Sequence, residues 1–172
     1  MIYKLLTMTI FVNIINIDTG AGQTLSRPTD TVIVNFVYQA TLFGLQQLNS
    51  AKLALKKGKI SGVKSFASTN VKAYARINAR LNGIVAKKEY DIPAHIDQSV
   101  APAQVLVYNE NNDFDQKYIS LMLKDNKKML DLFTRASIVF TDPDLKGFIK
   151  QTLPVLQKQL RAITVLYRKV HS

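Results

Sequence analysis

Apolar residues recur every three or four positions in four long blocks of this chain, the spacing of a helix with one buried face. The blocks cover about 30–57, 61–88, 113–139 and 143–170. No segment of comparable length alternates apolar and polar residues, as a half-buried strand would. The pattern therefore predicts four helices of about 25 residues, each about 38 Å long at a rise of 1.5 Å per residue.

The ends of the first helix can be predicted from side chains that cap or stop helices. Asp30 follows Pro28-Thr29 and is placed to accept hydrogen bonds from the first free amides, while Gly58 ends the helix. The apolar stripe predicts that Ala51 and Leu55 face inward near its C-terminal end.

The lengths of the connections predict how the helices are joined. Residues 58–60 and 141–143 are too few to link anything but antiparallel neighbours, whereas 89–112 are enough to traverse a bundle lengthwise. That long connection has space for a short helix near 103–108. We predict an all-α fold, a ferritin-like four-helix up-down bundle with one long crossover between helices 2 and 3.

The first 21 residues have the order of a secretory signal peptide: one lysine, an uncharged apolar stretch and a small-x-small site at Thr19-Gly20-Ala21. A buried N-terminal helix is the alternative. We expect cleavage after Ala21, a flexible segment over 22–29 and a bundle domain over 30–172. The protein is then expected in the periplasm or at the outer membrane, with no transmembrane span in the mature chain.

Several kinds of chemistry lack the residues they need. The chain has no cysteine, and its two glutamates, Glu89 and Glu110, lie in the predicted crossover, so no helix carries the Glu-x-x-His pairs of a di-iron bundle. The two histidines, His95 and His171, have no helical partner at ligand spacing. We therefore expect a non-enzymatic protein without a cofactor. The aspartates at helix starts are expected to stabilise helix dipoles: Asp113, Asp115, Asp142 and Asp144.

Positive charge is the main functional lead. The formal net charge is +11, and 31–88 hold ten lysines and arginines but no acidic residue. On the second helix, one face carries Lys72, Arg76, Arg80 and Lys87. This basic face is a candidate anion-binding surface for an anionic envelope polymer or a lipid surface. The alternative is a solvated face that only keeps the protein soluble. No aromatic residue interleaves with it, so no specific nucleic-acid binding is expected.

Five short motifs resemble landmarks of one bacterial family. They are Val63-Lys64-x-Phe66-Ala67, Phe114-Asp115-x-x-Tyr118, Leu121-Met122-x-Lys124-Asp125, Pro143-x-Leu145-Lys146-x-Phe148 and Thr152-Leu153-Pro154-x-Leu156. Their order resembles that of domain of unknown function 4142, often labelled predicted outer-membrane protein, over about residues 30–168. The resemblance implies a ferritin-like helical fold and export, and it implies no established activity.

The same resemblance points to three polar positions, two on inward stripes and one at the edge of the stripe of the fourth helix. Members of that family typically carry histidines where this chain has Tyr74, Asn126 and Gln159. A phenol and two neutral amides are poor ligands for a transition metal. Because a buried amide must find a hydrogen-bond partner or cost about 1–3 kcal/mol, we predict that these three form a buried polar layer that fixes helix register, with a ligand site as the alternative.

The function itself stays open at this level. A non-enzymatic envelope protein that binds a partner or an anionic polymer through the basic face agrees best with the sequence. A ferritin-like metal or redox protein is disfavoured by the missing helical glutamates and histidines. A nucleic-acid-binding protein agrees with the charge but not with a leader peptide.

Overall fold

A computed structural model describes residues 28–88, 90, 106 and 113–171. These include four helices: α1 Pro28–Lys57, α2 Ser61–Lys88, α3 Phe114–Val139 and α4 Pro143–His171. Neither strand nor bridge occurs in these ranges, which confirms the all-α four-helix bundle prediction. The predicted leader and nearly all of the segment at 22–29 lie outside the described residues.

The helices pack in the ring order α1, α2, α4, α3, so that each has two neighbours. The turn between α1 and α2 contacts the first turn of α3. At the other end of the bundle, the last turn of α2 contacts the first turn of α4. All four neighbouring pairs are therefore antiparallel, and α2 and α3 lie diagonally opposite with the same direction.

The connection from α2 to α3 therefore joins opposite ends of the bundle, as a lengthwise crossover must. Tyr90 and Leu106, two described residues of this connection, lie near opposite ends of the bundle. Tyr90 packs against the apolar cluster near the end of α2, and Leu106 is buried in the cluster near the start of α3. Leu106 has helical backbone. The rest of the short helix predicted over 103–108 lies outside the described residues.

The bundle has two apolar cores, one toward each end. The first, near the turn between α3 and α4, holds an aromatic group in which the Phe36 ring meets Phe133 and Phe140 edge-on at centroid distances of 5.2 and 5.1 Å. The second, near the turn between α1 and α2, contains Phe66 and Tyr118. A layer of buried polar side chains separates the two.

Two details of α1 differ from the sequence-based prediction. The helix begins at Pro28 rather than Asp30, since the fixed φ of proline suits the first helical position. The inward residue near its other end is Ala54, whereas Leu55 is 38% exposed. Ala54 faces inward because the buried series along α1 continues by steps of three and four from Gln47 through Ser50 and Ala51.

One carboxylate attaches the first hairpin to the second. Asp115, in the first turn of α3, accepts hydrogen bonds at Oδ2 from the backbone N–H groups of Lys59 (2.9 Å) and Ile60 (2.7 Å). Gly58 permits this close approach, because a Cβ there would lie 2.6 Å from the carbonyl oxygen of Ala54 and 3.1 Å from Asp115 Oδ1. The Asp115 carboxylate thus satisfies backbone donors that the turn itself leaves free.

Two more carboxylates connect the opposite end. Asp142 Oδ1 accepts from the backbone N–H groups of Asp144 and Leu145, both at 3.0 Å, and so caps α4. Its Oδ2 accepts from Lys88 Nζ at 2.5 Å, and Lys87 Nζ lies 3.0 Å from Asp144 Oδ2. The Lys88 hydrogen bond lowers the pKa of the Asp142 carboxyl.

We predict that Asp115→Ala lowers the free energy of unfolding by about 2–3 kcal/mol, because two part-buried N–H groups lose a charged acceptor. Asp113→Ala is the matched control. Asp113, two residues earlier, makes no side-chain cap hydrogen bond and pairs with Lys117 through side chains that are 36% and 35% exposed, so its loss should cost about 0.5 kcal/mol or less. Urea denaturation checks both, and equal losses would contradict the role given to Asp115.

Candidate functional site

Every helix contributes to the polar layer between the two apolar cores. Its members are 7% exposed or less and occur at equivalent levels of the four helices: Gln47 and Ser50 on α1, Asn70 on α2, Asp125 and Asn126 on α3, and Gln159 on α4. A layer of this kind favours one helix register, because a shifted helix would place amides against apolar side chains.

Two direct contacts across the layer join α1 and α2 to α3. The Tyr74 hydroxyl donates to Asn126 Oδ1 at 3.4 Å, while Asn126 Nδ2 donates to the Met122 carbonyl at 2.8 Å. Gln47 Nε2 donates to Asp125 Oδ2 at 3.3 Å. Burial raises the pKa of the Tyr74 phenol, and the nearby Tyr118 and Asp125 raise it further. Tyr74 is therefore a neutral hydrogen-bond donor.

Gln159 behaves differently from the other two sequence-predicted members of the layer. Tyr74 and Asn126 meet, but neither the oxygen nor the nitrogen of the Gln159 amide has a hydrogen-bond partner in the described part of the chain, although the residue is only 3% exposed. The amide of Asn78 also has no hydrogen bond there. Gln159 differs from Asn78 because it lines an open groove.

The groove lies along the seam between α2 and α4 and has a volume of about 670 Å³. Its walls are mainly apolar or small, with two lysines at the rim and no acidic residue among the described lining positions. From α2 come Gly62, Ser65, Phe66, Thr69 and Ala73; from α4 come Pro154, Val155, Lys158, Gln159, Ala162, Val165, Leu166 and Lys169.

Small side chains open this seam. Ser65, Thr69 and Ala73 recur at a helical spacing of four on the α2 wall and face Ala162 on α4. At the end near the start of α2, a Cβ on Gly62 would come within 2.9 Å of Leu166 Cδ1, so a larger residue there would displace the leucine side chain. The Thr69 hydroxyl donates to the Ser65 carbonyl at 3.1 Å and so does not leave a free donor in the wall.

Two members of the predicted basic face line a continuation of the same seam. Arg76 and Arg80 border a pocket of about 270 Å³ that shares Ala73 and Val155 with the apolar groove. The Arg80 guanidinium donates to Gln151 Oε1 and lies over the Phe148 ring, 5.9 Å from its centroid. The seam therefore has mainly apolar walls, with lysines at its rim and two arginines in the pocket at one end.

The four predicted basic residues are all exposed on α2 but differ in their partners. Lys87 pairs with Asp144, and Arg80 is held by α4. Lys72 and Arg76 make no ion pair or hydrogen bond with the described part of the chain. The charge available to a ligand is thus concentrated at Lys72 and Arg76.

Sequence reasoning missed two members of the polar layer and one residue of the groove. Gln47 and Asp125 belong to the polar layer, and the inward spacing of Gln47 after Ala40 was the available signal for it. Lys158 at the groove rim had no signal, because one exposed lysine among many is ordinary.

The described helices carry no grouping of three histidine, aspartate or glutamate side chains close enough to hold a metal ion. In the same ranges, no helix combines the length and apolarity that crossing a bilayer needs.

We predict that Gln159→Leu raises the free energy of unfolding by about 1 kcal/mol, because it replaces a buried amide without a partner by an apolar side chain of similar size. Gln157→Leu is the matched control, since Gln157 is exposed on the same helix and its replacement should change stability by less than about 0.5 kcal/mol. Thermal unfolding compares the two. A loss of stability in Gln159→Leu would mean that its amide has a partner.

We also predict opposite pH dependence for two Asp→Asn variants. Burial raises the pKa of the Asp125 carboxyl, although the positive charges of Lys128 and Lys124 act to lower it. The ionised form of Asp125 therefore destabilises the fold. Asp125→Asn should therefore stabilise the protein at neutral pH, and this gain should vanish below the unfolded pKa of about 3.9.

For Asp142, whose pKa is lowered, Asp142→Asn should cost stability above about pH 3.9, and that cost should shrink as pH falls through the folded pKa. Asparagine can still cap α4, so the comparison isolates the charge. Urea denaturation at intervals of about 1 pH unit between about pH 3 and 7 measures how far the stability of each variant differs from that of the unaltered protein. Parallel pH profiles for the two variants would contradict the assignment.

Comparison with known proteins identifies the family of this chain. The chain matches no curated protein and no solved structure. The model of one protein family, described as a domain of unknown function, matches residues 19–166 and so includes all of α1, α2 and α3 and most of α4. This agrees with the resemblance seen in the five motifs. The chain belongs to the DUF4142 family.

Proposed function

We propose that this protein is a non-enzymatic binding protein of the cell envelope that engages an anionic partner through the basic face of α2. The observation that carries the proposal is the pair Lys72 and Arg76, which are exposed one turn apart and make no ion pair with the described residues. Export rests on the predicted leader and on the expectation attached to the family resemblance.

The surroundings of the basic face support this proposal. The described residues of α2 and of the turn before it include no acidic residue. The acidic groups that do approach, Asp142 and Asp144, lie at the end of α2 and are occupied by Lys88 and Lys87. An incoming anion near Lys72 and Arg76 would therefore meet an uncompensated positive field.

The four basic residues have unequal parts in this proposal. Lys87 keeps Asp144 as its partner, so a ligand would have to compete with a bond already made. Arg80 is oriented by Gln151 and Phe148, which reduces the side-chain entropy lost when it binds an anion. Lys72 and Arg76 contribute charge and therefore control the salt dependence.

The test is binding to vesicles of phosphatidylglycerol, with phosphatidylcholine vesicles as the uncharged comparison. Binding should weaken steeply as salt rises, because exposed charges are screened beyond about 8–10 Å. The double variant Lys72→Gln/Arg76→Gln should bind about tenfold or more weakly, since each basic residue near an anionic surface is worth about 1 kcal/mol. Lys87→Gln should have a smaller effect.

The matched control is Lys52→Gln/Lys56→Gln on α1, which removes two exposed lysines with the same spacing of four from another face. Equal losses in the two double variants would mean that only the net charge matters. No loss in either would refute the basic face as a binding surface. Circular dichroism confirms that both variants keep their helices.

A further inference from the structure

We infer that the α2–α4 groove binds a single-chain anionic amphiphile, with the acyl or alkyl chain in the apolar part and the headgroup at Arg76. This assignment rests on the proposed function and names the chemical class of the ligand. It follows from three features of one seam: the apolar groove, the cationic pocket continuous with it, and the buried Gln159 amide between its ends.

The apolar part matches a hydrocarbon chain in size and lining. Its volume of about 670 Å³ lies within the range of about 300–1,000 Å³ typical of small-molecule sites. From Gly62 to Ala73 the α2 wall is about 16 Å long at 1.5 Å per residue, close to the length of an extended dodecyl chain. Val165, which is 52% exposed at the rim, would be covered by such a chain.

The polar part matches one anionic headgroup. Ala73 and Val155 mark the junction, with Arg76 on the cationic side and Gln159 on the apolar side. A phosphate or carboxylate at this junction can accept hydrogen bonds from the Arg76 guanidinium, while Lys158 neutralises it from the rim. The Gln159 amide N–H is buried in this structure and can donate to the same anion once its side chain turns toward the groove. This would supply the Gln159 amide with the partner that the described chain does not provide.

Charge argues for this occupant over a second copy of the chain. The groove and its continuation hold four cationic side chains and no acidic residue among the described lining positions: Arg76, Arg80, Lys158 and Lys169. A second chain with a net charge of +11 would be repelled from such a surface. An anionic amphiphile instead finds apolar walls for its chain, two arginines beyond the junction for its headgroup, and only cationic side chains at the rim.

The experiment is isothermal titration of the protein with dodecyl phosphate below its critical micelle concentration. Dodecanol supplies the chain without the charge, and inorganic phosphate supplies the charge without the chain. We expect one dodecyl phosphate per protein, with dodecanol and phosphate at least tenfold weaker. Binding no tighter than that of inorganic phosphate would overturn the inference, since the groove would then take no chain.

Two variants, each with a matched control, place the ligand. Ala162→Phe fills the groove and should weaken dodecyl phosphate binding at least tenfold, whereas Ala75→Phe, exposed on α2 outside the groove, should not change it. Gln159→Leu should weaken binding several-fold without loss of thermal stability, and Gln157→Leu should leave it unchanged. Unaltered binding in Ala162→Phe would overturn the inference. A dimer that forms through the groove and does not bind dodecyl phosphate would also overturn it.

The two proposals can fail separately. Ala162→Phe should keep its salt-dependent binding to phosphatidylglycerol vesicles, because the basic residues on the surface of α2 are unaltered. Vesicle binding that is insensitive to Lys72 and Arg76, with groove binding intact, would reject the basic face alone. Vesicle binding that depends on those residues, with no dodecyl phosphate bound, would reject the groove alone.

Discussion

The hydrogen bonds that Asp115 accepts from the turn between α1 and α2 set the relative position of the two helical hairpins. Since each hairpin has its own short turn, its internal packing is determined locally, but the seam between hairpins depends on contacts far apart in sequence. Asp115 fixes one end, and Asp142 with Lys88 fixes the other. Between these two ends, α2 and α4 are held as neighbours while small side chains leave their middle open. The groove thus forms because polar contacts hold the hairpins together at both ends of the bundle, while small side chains between those ends do not fill the space between α2 and α4.

The polar layer has two parts with different consequences. Toward α3, Tyr74 and Asn126 contact each other, and Gln47 contacts Asp125, so these groups recover part of the free energy lost on burial. Toward the seam of α2 and α4, the Gln159 amide recovers nothing from the described chain. A leucine would stabilise the bundle more at that position, and a buried polar group that costs stability is typical of a functional site. On the proposed binding of an amphiphile, the groove beside Gln159 gives that cost a physical reason.

Periodicity predicted the four helices because each has an apolar stripe along its whole length, and connector length predicted which neighbours are antiparallel. The stripe also predicted that Tyr74, Asn126 and Gln159 are interior positions, although only the first two meet. Periodicity assigned Leu55 inward wrongly, since a step of four after Ala51 is as regular as the step of three that reaches Ala54. The groove could not be predicted, because its depth depends on how closely α2 approaches α4, and residues far apart in sequence determine that distance. The pairing of Lys87 with Asp144 could not be predicted either, because it too depends on the approach of α2 to α4.

Nuclear Overhauser effects between dodecyl phosphate and the labelled protein report which side chains touch the bound alkyl chain. If the α2–α4 groove holds that chain, we expect effects from its methylenes to the methyl groups of Ala162 and Val165, with a shift of the Gln159 side-chain N–H₂ signals and none of the Gln47 signals. Effects confined to the α1–α3 side of the bundle, at Val32 and Val139, would contradict it.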